Sequence, residues 1–279
     1  MIRIIADTTS NIPPGEAEEL GIYFLPQIII FGEKAYRDDH ELTTAEFLEK
    51  LRASPVLPKT AAPPPLLYQP IYESLTKQND TIVVICPSQL VSGTYRSASD
   101  AALEFPDADI RVIDTQTIGP ALGTLVRLAQ QWATEGKSAD FIASKVEEMG
   151  KKARIYFYVD TLEYLHKGGR IGTASALVGT LLQVKPILVF KDGQVNPYEK
   201  QRTKKKAISR IIDLVKAECP PKADSYLSIL EADAMEDAED LKRELSSIPN
   251  INQIQITNLP PAIIVHVGPG VVAASFFLE

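Results

Sequence analysis

The sequence predicts an α/β fold in two domains: residues 1–150 on a mostly parallel sheet, then an α+β domain over residues 151–279. Between residues 1 and 150, short β-rich apolar runs alternate with helical stretches of ten or more residues, the mark of right-handed crossover connections. After Lys151 the pattern changes to aromatic-rich strands and a hairpin turn signal, Asp192-Gly193. The chain has 279 residues, 45% hydrophobic and 23% charged, an ordinary composition and a length that suits one large domain or two of usual size.

Taken in order, Ile2–Ala6 is an apolar strand ending at the polar loop Asp7-Thr8-Thr9-Ser10, and Tyr23–Phe31 is a second strand-like run. Thr43 with Glu46 forms a capping-box pattern ahead of Phe47, Leu48 and Leu51 at helical spacing. Residues 53–65 are proline-rich and predict an irregular loop, after which Pro64 or Pro65 starts a helix with Leu67, Ile71 and Leu75 on one face. Thr81–Cys86 is a continuous apolar run, as a parallel strand buried on both faces requires. The loop 87–94 leads into a helix to Leu103, followed by a strand at Ile110–Ile113 and helices over 120–134 and from Ser138. In the second half, strands are expected at Arg154–Val159, Ile187–Phe190, Gln194–Tyr198, Tyr226–Leu230, Ile251–Thr257, Ala262–His266 and Val271–Leu278. Helices are expected at Thr161–Leu165, Thr203–Glu218 and Ala234–Leu245.

Charge and cysteine content exclude several function classes. Twenty-nine basic and 36 acidic side chains leave a net charge of −7, which disfavours a bulk-basic nucleic-acid binder. Apolar runs such as Ile28–Phe31 are too short to span a bilayer, and Asp7 interrupts the N-terminal apolar stretch before it could form a secretory signal. Cys86 and Cys219 alone make neither a disulfide framework nor a metal quartet, so no metal and no cofactor are expected and a reducing cytoplasm suits the chain. The charge is uneven: residues 167–206 hold nine basic and two acidic side chains. That stretch reads either as a solvated face or as a surface for a partner.

Ligand crevices of open parallel sheets lie at the carboxyl ends of the strands. There the loop Pro87–Thr94 offers three hydroxyls and Gly93 just before a helix, whose first N–H groups favour an anion; plain capping by Ser92 or Thr94 is the alternative. His266, followed by Gly268 and Gly270, is a candidate ligand contact or a structural hydrogen-bonder. Lys167-Gly168-Gly169-Arg170-Ile171-Gly172 is an anion-loop-like turn without the spacing of a P-loop or a dinucleotide fingerprint, and Ser92 has no nucleophile-elbow context.

Together these segments resemble the DegV family over essentially the whole chain. The motifs run in family order: Asp7-Thr8-Thr9-Ser10, Ser92-Gly93-Thr94-Tyr95, Asp114-Thr115, Leu165-His166-Lys167-Gly168-Gly169-Arg170-Ile171, Lys185-Pro186-Ile187-Leu188, Arg202-Thr203 and His266-Val267-Gly268-Pro269-Gly270. The resemblance implies two α/β domains holding a long-chain fatty acid between them. It implies a lipid-binding subunit, not an enzyme in itself, of a bacterial fatty acid kinase. Such a subunit presents the carboxylate to a separate catalytic subunit, which transfers phosphate from ATP and so feeds phospholipid synthesis; transient membrane contact is a further expectation.

By position, the carboxylate contacts implied are Thr60, Ser92, Gly93 and His266, and Arg170 and Arg202 match cations near the entrance or the kinase contact. The family's Thr-Ser-x-Pro-Ser is Thr60-Ala61-Ala62-Pro63-Pro64 here, with the threonine kept and both serines absent. Two other readings stand beside this one: a serine hydrolase using Ser92, His266 and an acid such as Asp7 or Asp114, and a regulatory module for another carboxylate or phosphate.

Overall fold

The computed structural model describes residues 1–178, 184–251 and 253–279. The chain divides into two compact units, residues 1–151 with Pro260–Ala262, and residues 152–259 with 263–279.

The first unit is organised around β6 (Thr81–Cys86), whose Ile82, Val83, Val84 and Ile85 are all buried because helices cover both faces of its sheet. β1 (Ile2–Asp7), β2 (Tyr23–Leu25), β6 and β7 (Ile110–Asp114) form a four-stranded parallel sheet in the order β2-β1-β6-β7. Tyr68, Tyr72 and Leu75 of α3 (Pro65–Thr76) and Ala98 and Ala101 of α4 (Thr94–Ala102) share one core with Ile5, Ile82 and Val84. α5 (Gly119–Thr134) packs on β1 and β6, and α6 (Ala139–Lys152) follows it. The expected capping box is present on α2 (Thr44–Ala53): the Glu46 amide donates to the Thr43 hydroxyl, and the Thr43 amide donates to the Glu46 carboxylate.

The Tyr23–Phe31 run is two strands, not one. Pro26 lies between them, and a proline has no amide to give to a ladder. β2 ends at Leu25 and pairs with β1, while β3 (Ile28–Phe31) pairs antiparallel with β4 (Lys34–Arg37) and β5 (Lys59–Ala61). β5 falls within the proline-rich stretch expected to be irregular. A short helix, α1 (Pro14–Glu19), precedes β2.

The second unit is a six-stranded sheet in the order β10-β9-β8-β13-β11-β12. Its strands are β8 (Ala153–Tyr158), β9 (Lys185–Lys191), β10 (Gln194–Gln201), β11 (Ser228–Ala232), β12 (Gln255–Asn258) and β13 (Val271–Phe277). Asp192 and Gly193 take φ of 54° and 78°, the left-handed pair of a tight hairpin between β9 and β10. α8 (Lys204–Glu218), capped by the Thr203 hydroxyl, and α9 (Met235–Leu245) bury Ile211, Val215, Leu241 and Leu245 in one core with Tyr158, Ile229 and Phe276. α7 (Glu163–Lys167) lies two residues later than expected. The strand expected over Ile251–Thr257 is β12 in its second half, and residue 252 lies outside the described residues.

One expected strand is a helix. Ala262–His266 belongs to α10 (Pro261–Val267). Proline suits a first helical turn, and Gly268 at φ 77° donates its amide to the Ile264 carbonyl at 2.8 Å, a left-handed terminator. A short apolar run does not reveal its period, and these two flanking residues settle it.

Candidate functional site

In the first unit the carboxyl ends of β1 and β6 carry a buried polar constellation centred on Asp7. Asp7 ends β1, and its carboxylate is fully buried. It accepts from the Thr9 amide at 2.9 Å, from the Thr9 hydroxyl, from Gln27 Nε2 at 2.7 Å and from Thr94 Oγ1 at 2.6 Å. Gln27 Nε2 also reaches Thr94 Oγ1 at 3.0 Å. Thr94, the first residue of α4, lies with its Oγ1 3.0 Å from Ser92 Oγ, and its amide donates to Ser92 Oγ at 3.3 Å. A continuous chain therefore runs from buried Asp7 through Thr94 to half-buried Ser92.

A second carboxylate lies close by. Asp38 Oδ1 accepts from the Thr8 hydroxyl at 2.7 Å and from the Gln27 amide at 2.9 Å, so Gln27 spans both acids. Burial raises the Asp7 carboxyl above the usual carboxylate range, against the lowering effect of its donors. Burial pushes Asp38 up to about 7, with the Asp7 charge adding to it. Burial and Asp7 also raise the Cys86 thiol.

The loop between β6 and α4 is built by its own backbone: the Ser92 amide donates to the Ser88 carbonyl at 3.0 Å and the Ser88 amide to the Thr117 carbonyl at 2.9 Å. Gly93 occupies the position before α4, which lacks a side-chain cap. The Thr60–Pro63 segment runs alongside. A Cβ on Gly93 would touch Ala62 Cβ at 3.5 Å, and the Ser97 hydroxyl donates to the Pro63 carbonyl. Thr60 sits on β5 opposite Ile29. Thr60, distant in sequence from the adjacent Ser92 and Gly93, thus belongs to a neighbouring segment of the same unit.

The remaining candidates belong to the second unit. His266 lies in the last turn of α10. Gly168, which ends α7, presses its backbone on the His266 ring, and any side chain there would collide with Nδ1. Gly268 lets the Tyr164 ring approach equally closely. Gly168 of the Leu165–Ile171 motif therefore packs against His266, and Gly268 of the His266–Gly270 motif against Tyr164 of α7. Burial lowers the His266 pKa to about 4, with Arg170 contributing, so the imidazole is neutral at physiological pH. Arg170 Nη1 donates to the Gly168 carbonyl at 2.7 Å. Arg202 is exposed in the turn before α8. Elsewhere in the basic stretch Lys167 pairs with Glu163 at 2.6 Å and Lys204 with Asp237 at 2.7 Å, which leaves less net charge on that surface than the composition implies.

Sequence reading singled out Ser92, offered Thr94 only as a helix cap, and gave Gln27 and Asp38 no role. Thr94 stands in the Ser92–Tyr95 motif, whereas Gln27 and Asp38 carry no local signal: Gln27 lies between β2 and β3 and Asp38 follows β4, and the β1–β2 and β3–β4 pairings bring them in. Among the described residues no group of three or more His, Cys, Asp or Glu is placed to hold a metal ion, and no helix is long and apolar enough to cross a membrane.

The comparisons agree over the full length. The chain is 33% identical over 279 residues to a DegV domain-containing protein of Halalkalibacterium halodurans, covering 100% of this chain and 99% of that one. A solved DegV family protein from Thermus thermophilus, described by its fatty acid binding, superposes with a TM-score of 0.90 at 30% identity, covering 100% of this chain and 99% of that chain. A fatty acid binding DegV family protein from Streptococcus agalactiae gives a TM-score of 0.91 at 30% identity with the same coverage. The family model described as "Uncharacterised protein, DegV family" matches residues 1–279, and the chain belongs to the DegV family.

Proposed function

We propose that this protein binds a long-chain fatty acid and presents its carboxylate to a separate kinase subunit, catalysing no reaction itself. The observation that carries the binding half is full-length likeness to solved proteins described as fatty acid binding. The hydroxyl-rich end of α4 supports it chemically. On this reading Thr60, Ser92, the Gly93 amide and neutral His266 take the carboxylate. Each buried methylene contributes about 0.8 kcal/mol, so a tail of roughly 14 supplies on the order of 11 kcal/mol before ordering costs. The polar contacts then select the head group more than they supply affinity.

Neutral donors hold the carboxylate without a paired arginine, which keeps an oxygen nucleophilic toward the terminal phosphate of ATP on the partner. Arg170 and Arg202 serve the kinase contact or the phosphates. The place of work is the cytoplasm, with transient membrane contact where acyl groups are delivered; two free buried thiols, Cys86 and Cys219, fit a reducing compartment.

A hydrolase reading finds little support in the first unit: the Ser92 hydroxyl meets the Thr94 hydroxyl, which is no base, and Asp7 stands behind it. The test is mass spectrometry of an organic extract of the purified protein, followed by titration of the delipidated protein with fatty acids. About one acid per chain is expected; an empty extract together with no binding on titration refutes the reading.

A further inference from the structure

The Asp7–Thr94–Ser92 chain can run in two directions. Each hydroxyl carries one proton. With Asp7 ionised, Thr94 gives its proton to the carboxylate at 2.6 Å. The only proton left for the 3.0 Å contact is that of Ser92, which then points inward. An incoming carboxylate needs that same proton. Were Ser92 to turn it outward, two hydroxyl oxygens would face each other at 3.0 Å with no proton between them. A second anion would also stand near a buried one. Among the described residues, the titratable groups whose charge couples to Asp7 are Asp38, Cys86 and Tyr68, all acids, and none of these supplies a balancing positive charge. With a proton on Asp7 every link reverses: Asp7 donates to Thr94, Thr94 to Ser92, and Ser92 outward. Gln27 Nε2 still finds a lone pair on either oxygen.

We infer that Asp7 is a positioning residue that takes up one proton from solvent when a carboxylate binds at Ser92, reversing the Asp7–Thr94–Ser92 chain so that the serine donates to the ligand. The inference rests on the fatty-acid reading for the nature of the ligand. Burial, which already disfavours the Asp7 anion, supports it. His266 is the rival acceptor, because a neutral imidazole beside a new anion can also gain a proton.

Laurate is titrated calorimetrically into delipidated protein between pH 6 and 10, in buffers of differing ionisation enthalpy, which counts the protons bound. Uptake approaching about one proton per laurate is expected where free Asp7 is ionised, with affinity falling about tenfold per pH unit there. Asp7→Asn, which carries a permanent amide donor, abolishes the uptake and flattens the pH dependence of affinity. Thr94→Ser keeps the uptake and Thr94→Val loses it. His266→Gln binds more weakly with the uptake intact. Zero uptake by the wild type at every pH overturns the inference, as does uptake that persists in Asp7→Asn and vanishes in His266→Gln. If Asp7→Asn does not fold, equal uptake in Thr94→Ser and Thr94→Val overturns it. A wild type that binds no laurate or longer acid refutes the fatty-acid reading instead.

Discussion

Gly168→Ala tests how the second unit holds His266. Gly168 has φ −75°, which any residue adopts, so space and not backbone conformation decides the outcome. A methyl there overlaps His266 Nδ1 and approaches the Tyr164 carbonyl to 2.9 Å. That carbonyl already accepts the Gly168 amide at 2.8 Å and is fixed, so the imidazole must yield. Overpacking of this kind costs about 1–3 kcal/mol, while the stiffer unfolded chain offsets about 0.4–1 kcal/mol. The net loss expected is about 1–2 kcal/mol. In a His266→Ala background the ring is gone and the 2.9 Å approach to the Tyr164 carbonyl remains, so Gly168→Ala costs less there without becoming free. A double-mutant cycle should therefore return a coupling of about 1–2 kcal/mol. Urea unfolding of the four proteins by circular dichroism, with midpoint and slope fitted separately, measures it. An equal cost of Gly168→Ala in both backgrounds refutes the packing argument.

Ser92→Ala removes a hydrogen bond to a charged group and should weaken fatty acid binding by about 1.5–3 kcal/mol, tenfold or more, with little change in unfolding midpoint; displacement of a fluorescent fatty acid checks it, and unchanged affinity means the head group lies elsewhere. Asp38 holds its proton up to about pH 7 in the fold but releases it near 3.8 when unfolded, so across that window its contribution to stability falls as pH rises. Asp38→Asn should remove that slope and gain on the order of 4 kcal/mol at most above pH 7, and a denaturation profile as steep as wild type between pH 4 and 7 contradicts this. Arg202→Glu should leave lipid content unchanged yet slow acyl-phosphate formation by a cognate kinase, more so at low salt; normal phosphorylation returns Arg202 to ordinary solvated surface.

Elements with their own local chemistry were legible in the sequence. β6 announced itself by an unbroken apolar run, α2 by Thr43 and Glu46, and the β9–β10 hairpin by Asp192-Gly193. β4 and β5 were not, because Lys34–Arg37 and Lys59–Ala61 have no strand pattern of their own and become strands only by pairing with β3. α10 was misread because its apolar run is too short to show a period. The site followed the same division. Ser92 and Gly93 stood out as a hydroxyl and a glycine at a helix start, and Asp7 as an acid at a strand end. Gln27 and Asp38 look like ordinary loop residues until β2, paired with β1, and the β3–β4 hairpin deliver them to Asp7.

The place of β13 in its sheet bears on how the chain is made. It is bonded to β8 on one side and to β11 on the other, and every residue from Val271 to Phe277 is buried. Before it arrives, β8–β9–β10 and β11–β12 are separate ribbons, each with a bare edge where β13 will lie. The second unit therefore stays in two pieces until β13 has left the ribosome. During that interval the exposed edges of β8 and β11 can recruit strands from other nascent copies. Chaperone demand in this protein should thus fall on the second unit, late in synthesis, while the parallel sheet of the first is already closed.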